Sequence, residues 1–326
     1  MGSMVKRFSA LTLVVLLASA ASAAAQQAYP SKPIRFVTPY APGGTTSVIA
    51  RLLGQKLTEN LGQPVLVDNR GGAGTMLGTD IVAKAQPDGY TILLAGGSLV
   101  LVPLVYKAPY DPITDLAPVA TIAATEFVLL LHGGIPASNL KEFIAYAKAR
   151  PGALNYATPG AGGSQHLAHE LLNLLAGIST HHIPYKGSGP ALTDLLGGQV
   201  QLYFSTAVTA IPHINSGRLK AVAITGEKRL PVLPNVPTFE QAGLSGFFRI
   251  GGYFGIVAPA RTPRPIVQKL AAELAKYHAQ PDFHDTLLKQ GLTPYAAGPE
   301  KYVELLKAGL ADNAAILKKV NLKLEN

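Results

Sequence analysis

Residues 34–67 read IRFVTPYAPGGTTSVIARLLGQKLTENLGQPVLV. Ile34 to Val37 and Val65 to Val67 are short β-branched and aromatic runs, and Val48 to Leu57 between them repeats its apolar residues at helical spacing. Strand, Gly-rich turn, helix and strand make one βαβ unit. The rhythm continues with a helix over Thr75 to Ala85 and a strand over Thr91 to Ala95. Such alternation predicts an α/β fold, with parallel strands covered by helices on both faces and ligands bound beyond the carboxyl ends of the strands.

A second series starts with a strand over Phe127 to Leu131. A helix follows from about Leu140 to Ala149, with Asn139 as N-cap, Glu142 three residues on and Pro151-Gly152 as its stop. Strands over Leu154 to Ala157, His182 to Tyr185, Val200 to Phe204 and Leu219 to Thr225 then alternate with helices over Ser164 to Leu175 and Pro190 to Leu196. A strand over Gly255 to Ala258 returns the chain, and helices near Pro265 to Tyr277 and Pro299 to Val320 finish it, each with a proline near its first turn. A length of 326 residues exceeds the size at which single cores split. The expected topology is two α/β domains with a ligand cleft between them. Residues 26–124 and 252–326 form one, residues 125–251 the other, and two crossings near 117–131 and 250–258 join them.

Composition narrows the function. With 48% hydrophobic and 14% charged residues the chain is globular and not disordered. It has no Cys, which removes disulfide frameworks, thiolate nucleophiles, zinc fingers and iron–sulfur ligation. The formal net charge is +9, but Lys and Arg are scattered, and a nucleic-acid groove needs them clustered, so no nucleic-acid partner is expected. Lys6 and Arg7 precede the apolar run Ala10 to Ala18 and the small residues Ala21-Ser22-Ala23-Ala24-Ala25, the three-part layout of a cleaved signal peptide over residues 1–25. That run is well short of the ~20 residues needed to span a bilayer, so a soluble exported chain is expected.

Three Gly-rich loops each follow a strand and open a helix: Tyr40-Ala41-Pro42-Gly43-Gly44-Thr45-Thr46-Ser47, Arg70-Gly71-Gly72-Ala73-Gly74-Thr75 and Thr158-Pro159-Gly160-Ala161-Gly162-Gly163-Ser164-Gln165-His166. Tyr185-Lys186-Gly187-Ser188-Gly189-Pro190 is a fourth. Glycine lets the backbone approach a ligand, and the first N–H groups of a helix are unpaired and aimed outward, so such a terminus attracts anions. Steric demand at any turn explains one loop of this kind; four in two lobes point to a ligand. His166, in the first turn after its loop, is placed either to donate a hydrogen bond to that ligand or to pack between the lobes and cap a backbone carbonyl. Lys186 reads as a solvated loop cation, and Phe247, Phe248, Tyr253 and Phe254 as inter-lobe core.

Catalytic and cofactor motifs fail on detail. No Gly is followed by Lys, so there is no Walker A lysine, and no stretch matches GxGxxG; a nucleotide cofactor is not expected. Gly162-Gly163-Ser164-Gln165-His166 lacks the last Gly of a GxSxG elbow. His169-Glu170 lacks a second His at metalloprotease spacing, and His181 and His182 diverge on a strand, so no metal site is expected. An exported serine hydrolase using Ser164 and His166 stays as the alternative, although neighbouring turn residues rarely orient a nucleophile and its base.

The segments Tyr29-Pro30, Pro39 to Gly44, Leu61-Gly62-Gln63-Pro64-Val65, Asp68 to Gly74 and Pro87-Asp88-Gly89-Tyr90-Thr91 resemble the substrate-binding proteins of tripartite tricarboxylate transporters, also called Bug proteins. So do Gly160 to Leu167, Pro184-Tyr185-Lys186-Gly187, Gly217 to Ala221 and Ala258-Pro259, so that the match runs in order through the whole mature chain. The resemblance implies a two-lobed, type II-like periplasmic binding protein, not an enzyme and without a cofactor. It would close on a small organic acid and deliver it to the membrane subunits of a tripartite tricarboxylate-type transporter, or alternatively to a sensor. A monomer is expected. On the family pattern Tyr40, Gly43, Gly44, Thr45, Ser164 and His166 are the carried-over ligand contacts, and Pro42, Ser47, Gly97, Thr158, Gly162, Tyr185 and Ser205 complete the expected site. Many members of the family have Asp where Ser47 and Ser205 stand here. Their replacement removes negative charge and favours a more anionic ligand, a dicarboxylate or aromatic carboxylate, with Ser47, Ser164 and Ser205 as hydroxyl donors.

Overall fold

A computed structural model of the chain describes residues 29–247 and 251–320; the expected signal peptide and Phe248 lie outside them. The first lobe opens with β1 (Ile34–Thr38), α1 (Thr45–Leu61), β2 (Val65–Asn69), α2 (Met76–Ala83), β3 (Thr91–Ala95) and α3 (Ser98–Val105). β1 lies between β2 and β3 and is parallel to both. Ile34 and Phe36 of β1 pack with Leu53, Leu57 and Leu270, while Val37 packs on the other face with Leu93, Leu99 and Tyr302. A strand buried on both faces needs helices on both, which is what the βαβ connections supply. In α1 the buried Ile49, Leu53 and Leu57 recur every fourth residue, and the helix ends at Gly62, whose φ of 69° is the left-handed conformation that suits glycine.

The strand β4 (Leu116–His132) then leaves this lobe for the second, which contains α4 (Leu140–Lys148), β5 (Asn155–Thr158), α5 (Ser164–Ala176), β6 (His181–Pro184), α6 (Ser188–Leu196), β7 (Leu202–Thr206), α7 (Ala207–Asn215) and β8 (Leu219–Ile224). From Leu116 to Glu126, β4 pairs with β9 (Gly251–Pro259), and from Phe127 onward it pairs with β7 and β8, all antiparallel. β9 also pairs antiparallel with β3. The strand order is β2-β1-β3-β9-β4-β7-β5-β6. The parallel sheet expected from the sequence is therefore a mixed one, because the strands that enter and leave the lobes run against the βαβ strands. In the second lobe Leu129 and Leu131 face one core and Val128 and Leu130 the other, the period-two alternation of a strand covered on both sides.

Three helices escaped the sequence reading. α3 contains Pro103 and α7 contains Pro212, each of which reads as a helix breaker, and the third is only nine residues, α9 (Pro281–Lys289), following α8 (Arg264–His278). After β10 (Thr293–Pro294) the chain ends its described part in α10 (Pro299–Val320), 22 residues long. Tyr302 and Leu306 of α10 sit in a core of the first lobe, whereas Ile316 and Val320 pack against a core of the second. The final helix thus lies across both lobes, where the sequence had assigned it to one.

α4 shows the expected cap: the Asn139 side chain accepts the Glu142 N–H at 2.9 Å, and the Glu142 carboxylate accepts the Ser138 N–H at 2.8 Å. Asn139→Ala is expected to lower the unfolding free energy by about 1 kcal/mol in a urea titration; a change below a few tenths would show that the cap contributes nothing.

Candidate functional site

Five helices begin at one place. α1, α3, α5 and α6 start after Gly44, Gly97, Gly163 and Gly187, and α7 after Thr206. None of the five has a side-chain cap, and none carries an acidic residue in its first turn. Of the helices whose first turns do not line the cavity, α4, α9 and α10 begin with Glu142, Asp282 and Glu300, while α2 and α8 have no acidic first-turn residue. Thr45, Thr46, Ser98, Ser164, Gln165, Ser188 and Thr206 line a cavity of about 30 Å³, together with Thr125, Phe127, Gly251 and Phe254 from the crossings between lobes. That volume holds roughly two waters. Among the described residues no charged side chain lines it. Its chemistry is that of neutral hydroxyls and unpaired amides at the positive ends of helices, a setting for an anion.

The two lobes are closed on each other, backbone against backbone. The Thr45 and Thr206 hydroxyls are hydrogen-bonded across the cleft, and the Ala41 N–H donates to the Lys186 carbonyl at 3.4 Å. A Cβ at Gly74 would lie 2.8 Å from the Ala161 carbonyl oxygen, and one at Gly97 2.4 Å from that of Gly251, so side chains at these positions would hold the lobes apart. A second cavity of about 250 Å³ lies between Pro39-Tyr40, Gly72 to Thr75, Pro159 to Ala161 and Pro184 to Lys186.

Of the residues expected at the site, Tyr40, Thr45, Gly97 and Ser164 line the small cavity, and Tyr40 and Tyr185 the large one. Gly44 packs against Ser188 at the start of α6, while Pro42 and Gly43 stand exposed at the rim opposite Gly189. The remaining residues lie elsewhere. Ser47 is fully buried beneath its loop and accepts from the Asn69 amide at 3.0 Å; that amide also donates to the Tyr40 carbonyl. Ser205 is turned inward, bonded to Thr209, and its neighbour Thr206 takes the cavity wall. Ser47 and Ser205 are thus not hydroxyl donors to the cavity, contrary to expectation. Thr125, Phe127 and Gly251 were missed because residues on a buried strand look like core; Thr46, Gln165 and Ser188 lay inside the quoted loops.

His166 does not take the second of its expected roles, the carbonyl cap. It is buried off the cavity wall, and its Nδ1 accepts the Gly162 N–H at 3.0 Å, so its proton is on Nε2 and it caps an amide, not a carbonyl. Its ring stacks on His182 at 3.8 Å, and His182 stacks on Tyr156, which stacks in turn on His169. The Thr158 hydroxyl donates to the Gly160 carbonyl and meets His182 Nε2 at 2.6 Å, so this nitrogen is the donor to it. Thr158, Gly162 and His166 therefore brace the loop from behind. Burial, with His182 alongside, pulls His166 down to about 3; burial lowers His182 to about 4 and His169 well below the usual imidazole range. A ring held this way is no general base for Ser164, and among the described residues no group of His, Asp or Glu is arranged to hold a metal ion.

A two-lobed α/β molecule closed over a polar, helix-ended cleft is the architecture of a periplasmic solute-binding protein. Residues 49–322 match the model of the tripartite tricarboxylate transporter family receptors, and the chain belongs to that family. The periplasmic binding protein BugD is 36% identical, with a TM-score of 0.87 over 91% of this chain and all of its own. Rpa4515 of R. palustris with adipate gives 32% and 0.87 over 90% and 98%, and MatC of Rhodopseudomonas palustris with bound malate 33% and 0.81 over 89% and 100%. The chain is a binding protein, as its relatives are, and not an enzyme.

Two outcomes follow from this geometry. Between the ordinary histidine value near 6.5 and about 3 to 4, the unfolded chain binds protons that the folded His166, His169 and His182 refuse. Stability is therefore full above pH 6.5 and falls on acidification through that window, with about two to three protons taken up on unfolding; urea midpoints at several pH values measure it, and a flat profile contradicts the buried neutral stack. Thr45→Val, which removes the hydroxyl bridge between lobes, is expected to cost the closed form about 1 kcal/mol, a roughly fivefold change in population. Small-angle scattering of ligand-free protein would report it as a larger radius of gyration.

Proposed function

We propose that this protein captures a small dicarboxylate in the cleft and delivers it to a tripartite tricarboxylate-type membrane transporter. The observation that carries the reading is the convergence of five uncapped helix N-termini, without one acidic first-turn residue, on a cavity whose wall, among the described residues, carries no charge. A carboxylate accepts from such amides and hydroxyls, and each charge-assisted bond contributes roughly 1.5 to 3 kcal/mol. A few suffice for micromolar affinity, about −8.2 kcal/mol, after the costs of association. The acids held by two neighbours, adipate and malate, support the class, and the family's name supports the transporter as destination.

On this reading residues 26–124 and 252–326 move as one lobe and 125–251 as the other, about the crossings at 117–131 and 250–258. The change of partners of β4 between Glu126 and Phe127 supports the first crossing. Ligand favours closure because only the closed form offers donors from both sides. Residues 1–25 act as the signal peptide that exports the chain to the periplasm, a role supported by the likeness to the periplasmic binding protein BugD.

Ser164 begins α5 on the cavity wall, where Asp would complement the helix terminus yet occupy the anion's place. Ser164→Asp is therefore expected to keep or raise the melting temperature of the ligand-free protein while lowering dicarboxylate affinity at least tenfold by calorimetry. Binding as tight as that of the unsubstituted protein would remove the anion reading of this cavity.

A further inference from the structure

The 30 Å³ cavity suits a carboxylate better than a whole diacid, and the 250 Å³ cavity beside it has no assigned role. Among the described residues Tyr40 alone lines both, and its hydroxyl donates to Ser98 Oγ at 2.9 Å, which fixes the ring between them. The two chambers differ in charge. Among the described residues the outer one has a single charged residue on its wall, Lys186, which is exposed and whose backbone carbonyl is tied to Ala41 across the cleft. Tyr185 beside it has its hydroxyl engaged by Asp194 at 2.6 Å, which leaves Lys186 as the anion-seeking group. The opposite wall ends at Thr75, the uncapped start of α2, and both Ala73 (φ 45°) and Thr75 (φ 94°) are held in the left-handed region that non-glycine residues avoid. Such conformations persist only where packing enforces them, and they concentrate at ligand clamps.

We infer that the two chambers are halves of one site for an α,ω-dicarboxylate: the inner takes one carboxylate, the outer takes the second with Lys186 as its cation, and Tyr40 is the divider that sets chain length. The inference rests on the dicarboxylate reading above. Calorimetry would compare unbranched diacids of four to eight carbons with their half-amides, in which one carboxylate is replaced by a neutral carboxamide. The panel is the unsubstituted protein, Lys186→Met, Lys186→Arg and Tyr40→Ala.

The preference for the best diacid over its half-amide should fall about fivefold in Lys186→Met, the size of a partly exposed ion pair, and be kept in Lys186→Arg. Raising the salt concentration should erode that preference in the unsubstituted protein and leave little to erode in Lys186→Met. Tyr40→Ala should move the preferred diacid to a longer chain. An undiminished preference in Lys186→Met overturns the inference while leaving the dicarboxylate reading in place. Failure of the unsubstituted protein to bind any diacid removes that reading, and this inference with it.

Discussion

Helix N-termini carry roughly half a positive charge each, and a protein that gathers several of them without an acidic residue or a side-chain cap leaves that charge uncompensated. Five of them meet in this cleft. The hydrophobic clusters on both faces of each sheet hold the helices there against their mutual repulsion. At α4 the ordinary solution is used, with Asn139 as cap and Glu142 in the first turn, whereas α2 and α8 lack both but stand apart from one another. It is the convergence of five such termini that marks the cleft as a place where a negative partner completes the electrostatics.

Much of this was legible in the sequence, because the signals are local. A β-branched run, a Gly-rich turn and a helical period identify β1 and α1 within a few residues, and the loops they frame supply Thr45 and Ser164. What could not be read depends on direction. Successive residues on a strand face opposite ways, so Thr206 reaches the cavity while Ser205 turns inward; successive helical residues rotate by about 100°, so Ser47 looks back at Asn69 while Thr45 and Thr46 face the cleft. The prolines inside α3 and α7 hid two of the five helices whose ends make the site. Thr125 and Gly251 belong to it only because β4 and β9 pair where the lobes join.

The loop before α5 illustrates how a glycine-rich turn is given one shape. Gly162, with φ 69°, supplies the bend, but the histidines behind it supply the constraint. His166 holds the amide of Gly162, His182 holds the hydroxyl of Thr158, and Tyr156 and His169 continue the stack toward Phe204 in the core. A column of flat rings thus connects the interior of the second lobe to the lip of the cleft, and keeps the turn fixed without any ring touching the cavity.

α10 bears on how the molecule can move. Two strands alone would make a loose swivel, but a 22-residue helix, about 33 Å long, is anchored in one lobe by Tyr302 and Leu306 and lies on the other through Ile316 and Val320. It works as a spar across the joint. Any swing of the lobes must be one that lets its far end slide over apolar neighbours without baring them to water, so the arc of the gape, and not merely its axis, is set at the opposite end of the chain from the first cleft loop.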